Sequence, residues 1–194
     1  MFRLSREVRI VDLAILYKRS HCSLLRASLR ARYSIFMQRG NGPPKLVAWV
    51  DAHHNVRGTY GFIIFFAGFP ILWGSRKAQH TTLSATESEV CACVEPVRYM
   101  LYIRRILEDA GLPQAEPSVV KEDNEGVIKL LKQQDLTSPR MRHVDIRLNW
   151  LKDQVAAGHV RFEWTSTDEQ LADTMTKAQA RHLFTTLVSK YMCD

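Results

Sequence analysis

The chain has 194 residues, 46% hydrophobic and 24% charged, an ordinary globular balance of a length that suits one domain. No apolar run approaches the roughly 20 residues of a membrane span, so no membrane partner is expected. The formal net charge of +7 suggests a polyanion partner. However, residues 1–30 hold seven of the 27 basic residues and only two of the 20 acidic ones, Glu7 and Asp12. The segment behind them is close to neutral, and its charge carries no argument for nucleic-acid binding. Cys22, Cys91, Cys93 and Cys193 form no C-x-x-C pair. A zinc knuckle and a redox motif are therefore excluded, and the four read as reduced thiols in an intracellular setting, cytoplasmic or nuclear.

Residues 1–39 form a basic segment rich in Arg, Leu and Ser, with no strand or turn rhythm. Glu7 and Asp12 count against a transit peptide, and a remnant of a preceding domain or an extraneous start fits better. A domain over 40–194 begins where Gly40, Gly42, Pro43 and Pro44 punctuate the chain. Lys45–Asp51 reads as a strand with Val47, Trp49 and Asp51 on one face. After the polar turn AHHNVRG, Thr59–Ala67 is an aromatic and β-branched strand. Gly68-Phe69-Pro70 reads as the hairpin turn into a third strand over 71–77.

A long helix is predicted from Thr86 to Asp109, capped by Ser84 or Thr86 and ended by Gly111 and Pro113. A short strand from Val119 to Asp123 follows, then helices over Glu125–Gln133 and Met141–Ala157. The alternating strand His159–Thr165 and a last helix over Glu169–Val188 complete the order βββαβααβα. That order implies an α/β fold, a five-stranded mixed sheet with helices on both faces.

The acids are informative because of where they fall. At about 100° per residue, Glu87 and Glu89 lie roughly 160° apart around the long helix. Glu87 shares a side with Arg98 and Arg105. Glu89 shares the apolar side with Cys93, Met100 and Leu107, where a lone carboxylate needs a cation or hydrogen-bond donors. Asp51 and Asp123 close strands and Asp173 opens the last helix, positions that also suit a turn-former or the helix dipole. Two strand ends and two helix starts can bring four acids to one point. Oxygen-only ligands select Mg²⁺ or Mn²⁺, and two such ions support in-line phosphoryl displacement without a protein nucleophile.

Six segments then match a family in order: GNGPPKLVAWVDA (40–52), TYGFIIFFAGFPILWGSRKAQ (59–79), LSATESEVCA (83–92), KEDNEGVI (121–128), RHVDIRLNWLKDQV (142–155) and TDEQLADTMTK (167–177). Over about four-fifths of its length the chain resembles the ribonuclease H domain at the end of copia-type retrotransposon polyproteins. The resemblance implies a ribonuclease H-like fold. It also implies Mg²⁺-dependent cleavage of RNA paired to DNA, with the 2′-hydroxyls distinguishing the RNA strand, and an upstream polymerase domain in a full-length polyprotein. Asp51 matches the acid ending the family's first strand, Glu89 the second Glu of its S-x-T-E-x-E motif, Asp123 the acid of its D-N motif and Asp173 that of its L-A-D motif. These four are the expected catalytic residues and ligands for two Mg²⁺ ions, with Mn²⁺ an alternative.

Around them, Lys77, Arg140, Arg142 and Arg147 read either as phosphate contacts or as solvated surface. Asn124 reads as a ribose contact or a turn residue, and His143 as a proton-transfer aid or part of a helix start beside Asp145. The loop after Asp51 departs from the family in carrying His53 and His54, which fit a solvated turn better than a metal site. Pro96 falls inside the long helix, where it removes a hydrogen bond and bends the axis. These departures keep a second reading open, a catalytically inactive nucleic-acid-binding relic. The near-neutral domain keeps a third open, an interaction module with no nucleic-acid role.

Overall fold

A computed structural model describes residues 44–54, 58–78, 82, 84–132 and 142–191, with backbone alone for 142–145. The basic segment over 1–39 lies outside the described residues, as do Arg140 and the side chains of Arg142, His143 and Asp145. Strands β1 (Leu46–His53), β2 (Thr59–Phe66) and β3 (Phe69–Lys77) form an antiparallel meander. β4 (Ser118–Glu122) pairs parallel to β1, and β5 (Val160–Trp164) parallel to β4. The sheet order is β3-β2-β1-β4-β5. The helices are α1 (Ala85–Asp109), α2 (Glu125–Lys132), α3 (Arg142–Ala156), the single turn α4 (Asp173–Thr176) and α5 (Arg181–Ser189). This is the expected α/β class, a five-stranded mixed sheet covered on both faces.

The two faces differ in size. Leu46, Ala48, Val50 and Ala52 of β1 alternate into the larger core with Phe62 and Ile64 of β2 and Val90, Cys93, Val97 and Met100 of α1. Burying side chains of this kind contributes about 1.5–3 kcal/mol each for the larger ones. The opposite register of the same strands packs Trp49, Ile63 and Phe65 against Leu171, Met175 and Leu187 of the α4–α5 segment. Asp51 belongs to this second face and lies opposite Gly61 across the β1–β2 ladder. A Cβ on Gly61 would come within 2.5 Å of Met175 Cβ and 2.9 Å of Thr176 Cγ2. The missing side chain lets α4 lie against the sheet beside Asp51.

α1 is closed at both ends by its own sequence. Ser84 Oγ accepts from the Glu87 N–H at 3.1 Å, satisfying an otherwise orphaned first-turn donor. At the far end Gly111 takes φ +77°. Leu112 N–H donates to Leu107 O and Gly111 N–H to Glu108 O, a glycine-terminated Schellman ending. Pro96 is buried within the helix, which runs unbroken from 85 to 109.

Three sequence expectations need correction. The hairpin turn is Ala67-Gly68, not Gly68-Phe69-Pro70: both residues take positive φ, +52° and +85°, which suits the twist of a two-residue hairpin. Pro70 is then a residue of β3, tolerated because β3 is an edge strand. β1 continues to His53, two residues past Asp51, and β4 ends at Glu122, so Asp123 lies just beyond its strand. The single helix expected over 169–188 is instead a 3₁₀ turn (Thr167–Glu169), α4 and α5. Gln170 accounts for the first break. Its buried amide donates to Val50 O at 2.9 Å and accepts from Ala172 N–H at 3.3 Å. Lys177 accounts for the second, with extended backbone at φ −122°, ψ 142°.

Candidate metal centre

Asp51, Glu89 and Asp123 each present a carboxylate oxygen to the others within 4.8 Å. Glu89 arrives from the first turns of α1, on the buried stripe that continues through Cys93, Met100 and Leu107. It is 6% exposed, and its Oε2 is buried with no hydrogen-bond partner. Burial raises its pKa to about 11, aided by the charges of Glu122, Asp51 and Asp123 and opposed by the Ala52 N–H. Without a cation, burial among these acids favours the neutral form of this carboxyl.

Asp123 is held from the end of β5. The Thr167 hydroxyl donates to its Oδ2 at 3.1 Å, and the Trp164 indole N–H to its carbonyl at 3.1 Å. Asp51 is held from the far side by the Thr176 hydroxyl on Oδ2 and the Lys177 ammonium 3.1 Å from Oδ1. The same ammonium lies 2.9 Å from Asp173 Oδ1, and Gln179 Nε2 donates to Asp173 Oδ2 at 3.4 Å. Asp173 thus stands beside the trio, tied to Asp51 through Lys177. Burial raises the Asp173 pKa to about 6 against the opposing Lys177 hydrogen bond. Burial also disfavours the charged ammonium, but the hydrogen bond to Asp173 and the Asp51 charge outweigh it and raise the Lys177 pKa.

The donor set fits a hard divalent cation. All the donor atoms are carboxylate oxygens, and one of them is buried and orphaned where a cation would satisfy it.

No family model matches the chain. Over 163 residues, 81% of its length, it is 32% identical to the retrovirus-related Pol polyprotein from transposon RE1 of Arabidopsis thaliana. Over 150 residues, 75% of its length, it is 31% identical to that of transposon TNT 1-94 of Nicotiana tabacum. The chain is a homologue of one segment of the copia-type Pol polyproteins. It spans 11% of the length of each of these two relatives. Its fold is that of the ribonucleases H: LC11-RNase H1, solved in complex with an RNA/DNA hybrid, superposes with a TM-score of 0.52 at 12% identity, covering 68% of this chain and 93% of that one.

Among the other residues singled out in this Pol homologue, Asn124 has a structural role at the start of α2. Its Oδ1 accepts from the Gly126 N–H at 2.8 Å. Arg147 donates to Cys91 Sγ at 3.1 Å and lines a cleft of about 600 Å³ together with Arg76, Arg98, Tyr99 and Ser88, the neighbour of Glu89. Lys77 is exposed at the end of β3. His54 pairs with Thr82 at 3.1 Å, and neither His53 nor His54 joins the carboxylate group. Among the described residues no helix is long and apolar enough to cross a membrane.

Sequence reasoning missed two residues of the cluster. Glu122 is fully buried behind the trio, where its Oε1 accepts from the Asn124 N–H and its Oε2 from Cys93 Sγ. Burial raises its pKa to about 8, opposed by those two donors. The signal was strand alternation, because Ser118, Val120 and Glu122 share a face and Val120 is core. Lys177 was missed although the helix expected over 169–188 already puts it i, i+4 from Asp173, a spacing that points to an ion pair; its contact with Asp51 is tertiary.

Proposed function

We propose that this chain is a ribonuclease H, cutting the RNA strand of RNA–DNA hybrids endonucleolytically at the Asp51–Glu89–Asp123–Asp173 cluster with Mg²⁺, or Mn²⁺ in its place. The observation that carries the reading is the buried, unpartnered Oε2 of Glu89, whose carboxyl brings an oxygen within 4.8 Å of the Asp51 and Asp123 carboxylates. A buried carboxyl there is either protonated or neutralised by a cation. The Pol relatives and the fold shared with a hybrid-bound ribonuclease support the same substrate.

Asp51, Glu89 and Asp123 would hold one ion, and Asp51 with Asp173 a second. Ions bound there supply activation of water and stabilisation of the departing oxygen in an in-line displacement. The chain's own residues orient the ligands. The apolar packing of α1 fixes Glu89, Thr167 and Trp164 fix Asp123, and Thr176 and Lys177 fix Asp51. No side-chain nucleophile is required. Lys77 and Arg147, with Arg76 and Arg98 in the cleft, are the proposed phosphate contacts. An upstream polymerase domain is the proposed source of the hybrid. Pro96 does not remove Glu89 from the cluster, so the site keeps its acids despite that departure from the family.

The test uses the full chain with an end-labelled RNA–DNA hybrid in Mg²⁺ or in a chelator. Internal cuts are expected with Mg²⁺ and none with chelator. Asp51→Asn and Asp123→Asn are each expected to slow cleavage about 10³-fold or more, since each tenfold is about 1.4 kcal/mol of barrier. Folded wild-type protein that binds hybrid and never cuts it supports the inactive relic instead.

A further inference from the structure

The cluster is furnished unequally with donors. Each oxygen of Asp51 and Asp173 has one from the chain: Thr176 and Lys177 for Asp51, Lys177 and Gln179 for Asp173. On the other side Glu89 Oε2 has none, and among the described residues the side-chain donor to the Asp123 carboxylate is the neutral Thr167 hydroxyl. Among the described residues no lysine or arginine forms an ion pair with Glu89 or Asp123.

The position of the ammonium is built into the local fold. Lys177 is the C-cap of α4, and its backbone N–H donates to Asp173 O at 3.0 Å. That places its side chain one turn from Asp173 and over Asp51. The two carboxylates it joins are 1% and 6% exposed, whereas the lysine side chain is 32% exposed. It therefore reaches the cluster from the solvent side and has room to leave.

We infer that Lys177 is a resident cation occupying the Asp51–Asp173 half of the cluster, so that a first divalent ion enters between Asp51, Glu89 and Asp123 directly while a second enters only by displacing the ammonium. This rests on the metal-binding reading above. An ammonium can satisfy the two acids but cannot act as a Lewis acid. The full ion complement thus forms only when divalent ion, or the phosphate it accompanies, outcompetes a group already in place.

The test is calorimetric titration of the full chain with Mg²⁺ alone, for wild type, Lys177→Met and Lys177→Arg. Wild type is expected to show one tighter and one weaker site. In K177M the weaker site is expected to tighten about tenfold or more, by more than the tighter site, which shares Asp51, while K177R keeps the wild-type pattern. If K177M does not fold, Lys177→Gln keeps a donor without the charge and is expected to behave as K177M. In wild-type protein, amine-reactive labelling of Lys177 read by mass spectrometry is expected to rise as Mg²⁺ saturates the weaker site. A weaker site that is unchanged or weakened in the uncharged variants, or labelling that does not respond to Mg²⁺, overturns the inference and leaves the ribonuclease reading standing. No Mg²⁺ binding to wild type at all overturns both.

Discussion

Glu89 and Asp173 reach the same cluster from opposite kinds of structure. Glu89 is delivered by a 25-residue helix, capped at both ends and packed along a buried stripe. Asp173 is delivered by a four-residue helix lying against the sheet over Gly61 and held by polar contacts from Thr176, Lys177 and Gln179. One acid is fixed by packing and lacks a cation. The other shares a cation with Asp51 and rides on a single turn buried through Leu171 and Met175. The contrast sets an acid that lacks a cation, carried by a long capped helix, against one already neutralised by an ammonium and carried by a single buried turn.

One expected effect lies on the Glu89 side. Glu89→Gln removes a carboxyl that burial holds far above the usual carboxylate range, so the metal-free melting temperature at neutral pH should not fall and should rise, because the variant no longer takes up a proton there on folding. The stabilisation by Mg²⁺ should disappear. For wild type it amounts to about 2.7 kcal/mol at a hundredfold excess over Kd. Calorimetric melting with and without Mg²⁺ checks this, and an undiminished Mg²⁺ response in E89Q breaks the comparison.

Next comes the Asp173 side. Gly61→Ala places a Cβ against Met175 and Thr176, and overpacking of this sort costs about 1–3 kcal/mol. Hydrogen exchange should accelerate across 171–177 while the amides of α1 keep their protection. Equal acceleration in both regions would show that the two sides are not independently held.

A further effect is on pH dependence. Glu122 has its pKa raised by burial from 4.5 to about 8. In the unfolded chain it loses its proton near the lower value, while the folded chain keeps it to the higher one. The folded state therefore binds the extra proton between about pH 4.5 and 8, and metal-free stability falls as pH rises through that window. Glu89 acts in the same direction and extends the decline further up. Mg²⁺ replaces protons at the cluster, so melting temperatures in Mg²⁺ should fall less steeply over the same range.

The sequence was legible wherever periodicity and burial agree. The phase of α1 put Glu89 on the side of Cys93, Met100 and Leu107, all of them buried in the structure. The order of elements along the chain followed from alternation and turn chemistry. What stayed hidden was set by tertiary contacts. Gln170 reaches 120 residues back to Val50 and breaks a stretch that reads as one helix. Asp51 faces the smaller layer, because both faces of β1 are covered and a strand's pattern does not say which helix lies on which side. Lys177 becomes a partner of Asp51 only once α4 has docked over Gly61.

The most direct measurement of the proposed site is an anomalous-scattering map from crystals of the full chain grown with Mn²⁺. The expected result is a peak among Asp51, Glu89 and Asp123, at the short oxygen distances of a hard cation, roughly 2.0–2.2 Å, with Glu89 Oε2 among its ligands. A well-ordered cluster with no peak, or a peak that leaves Glu89 Oε2 without a partner, would contradict it.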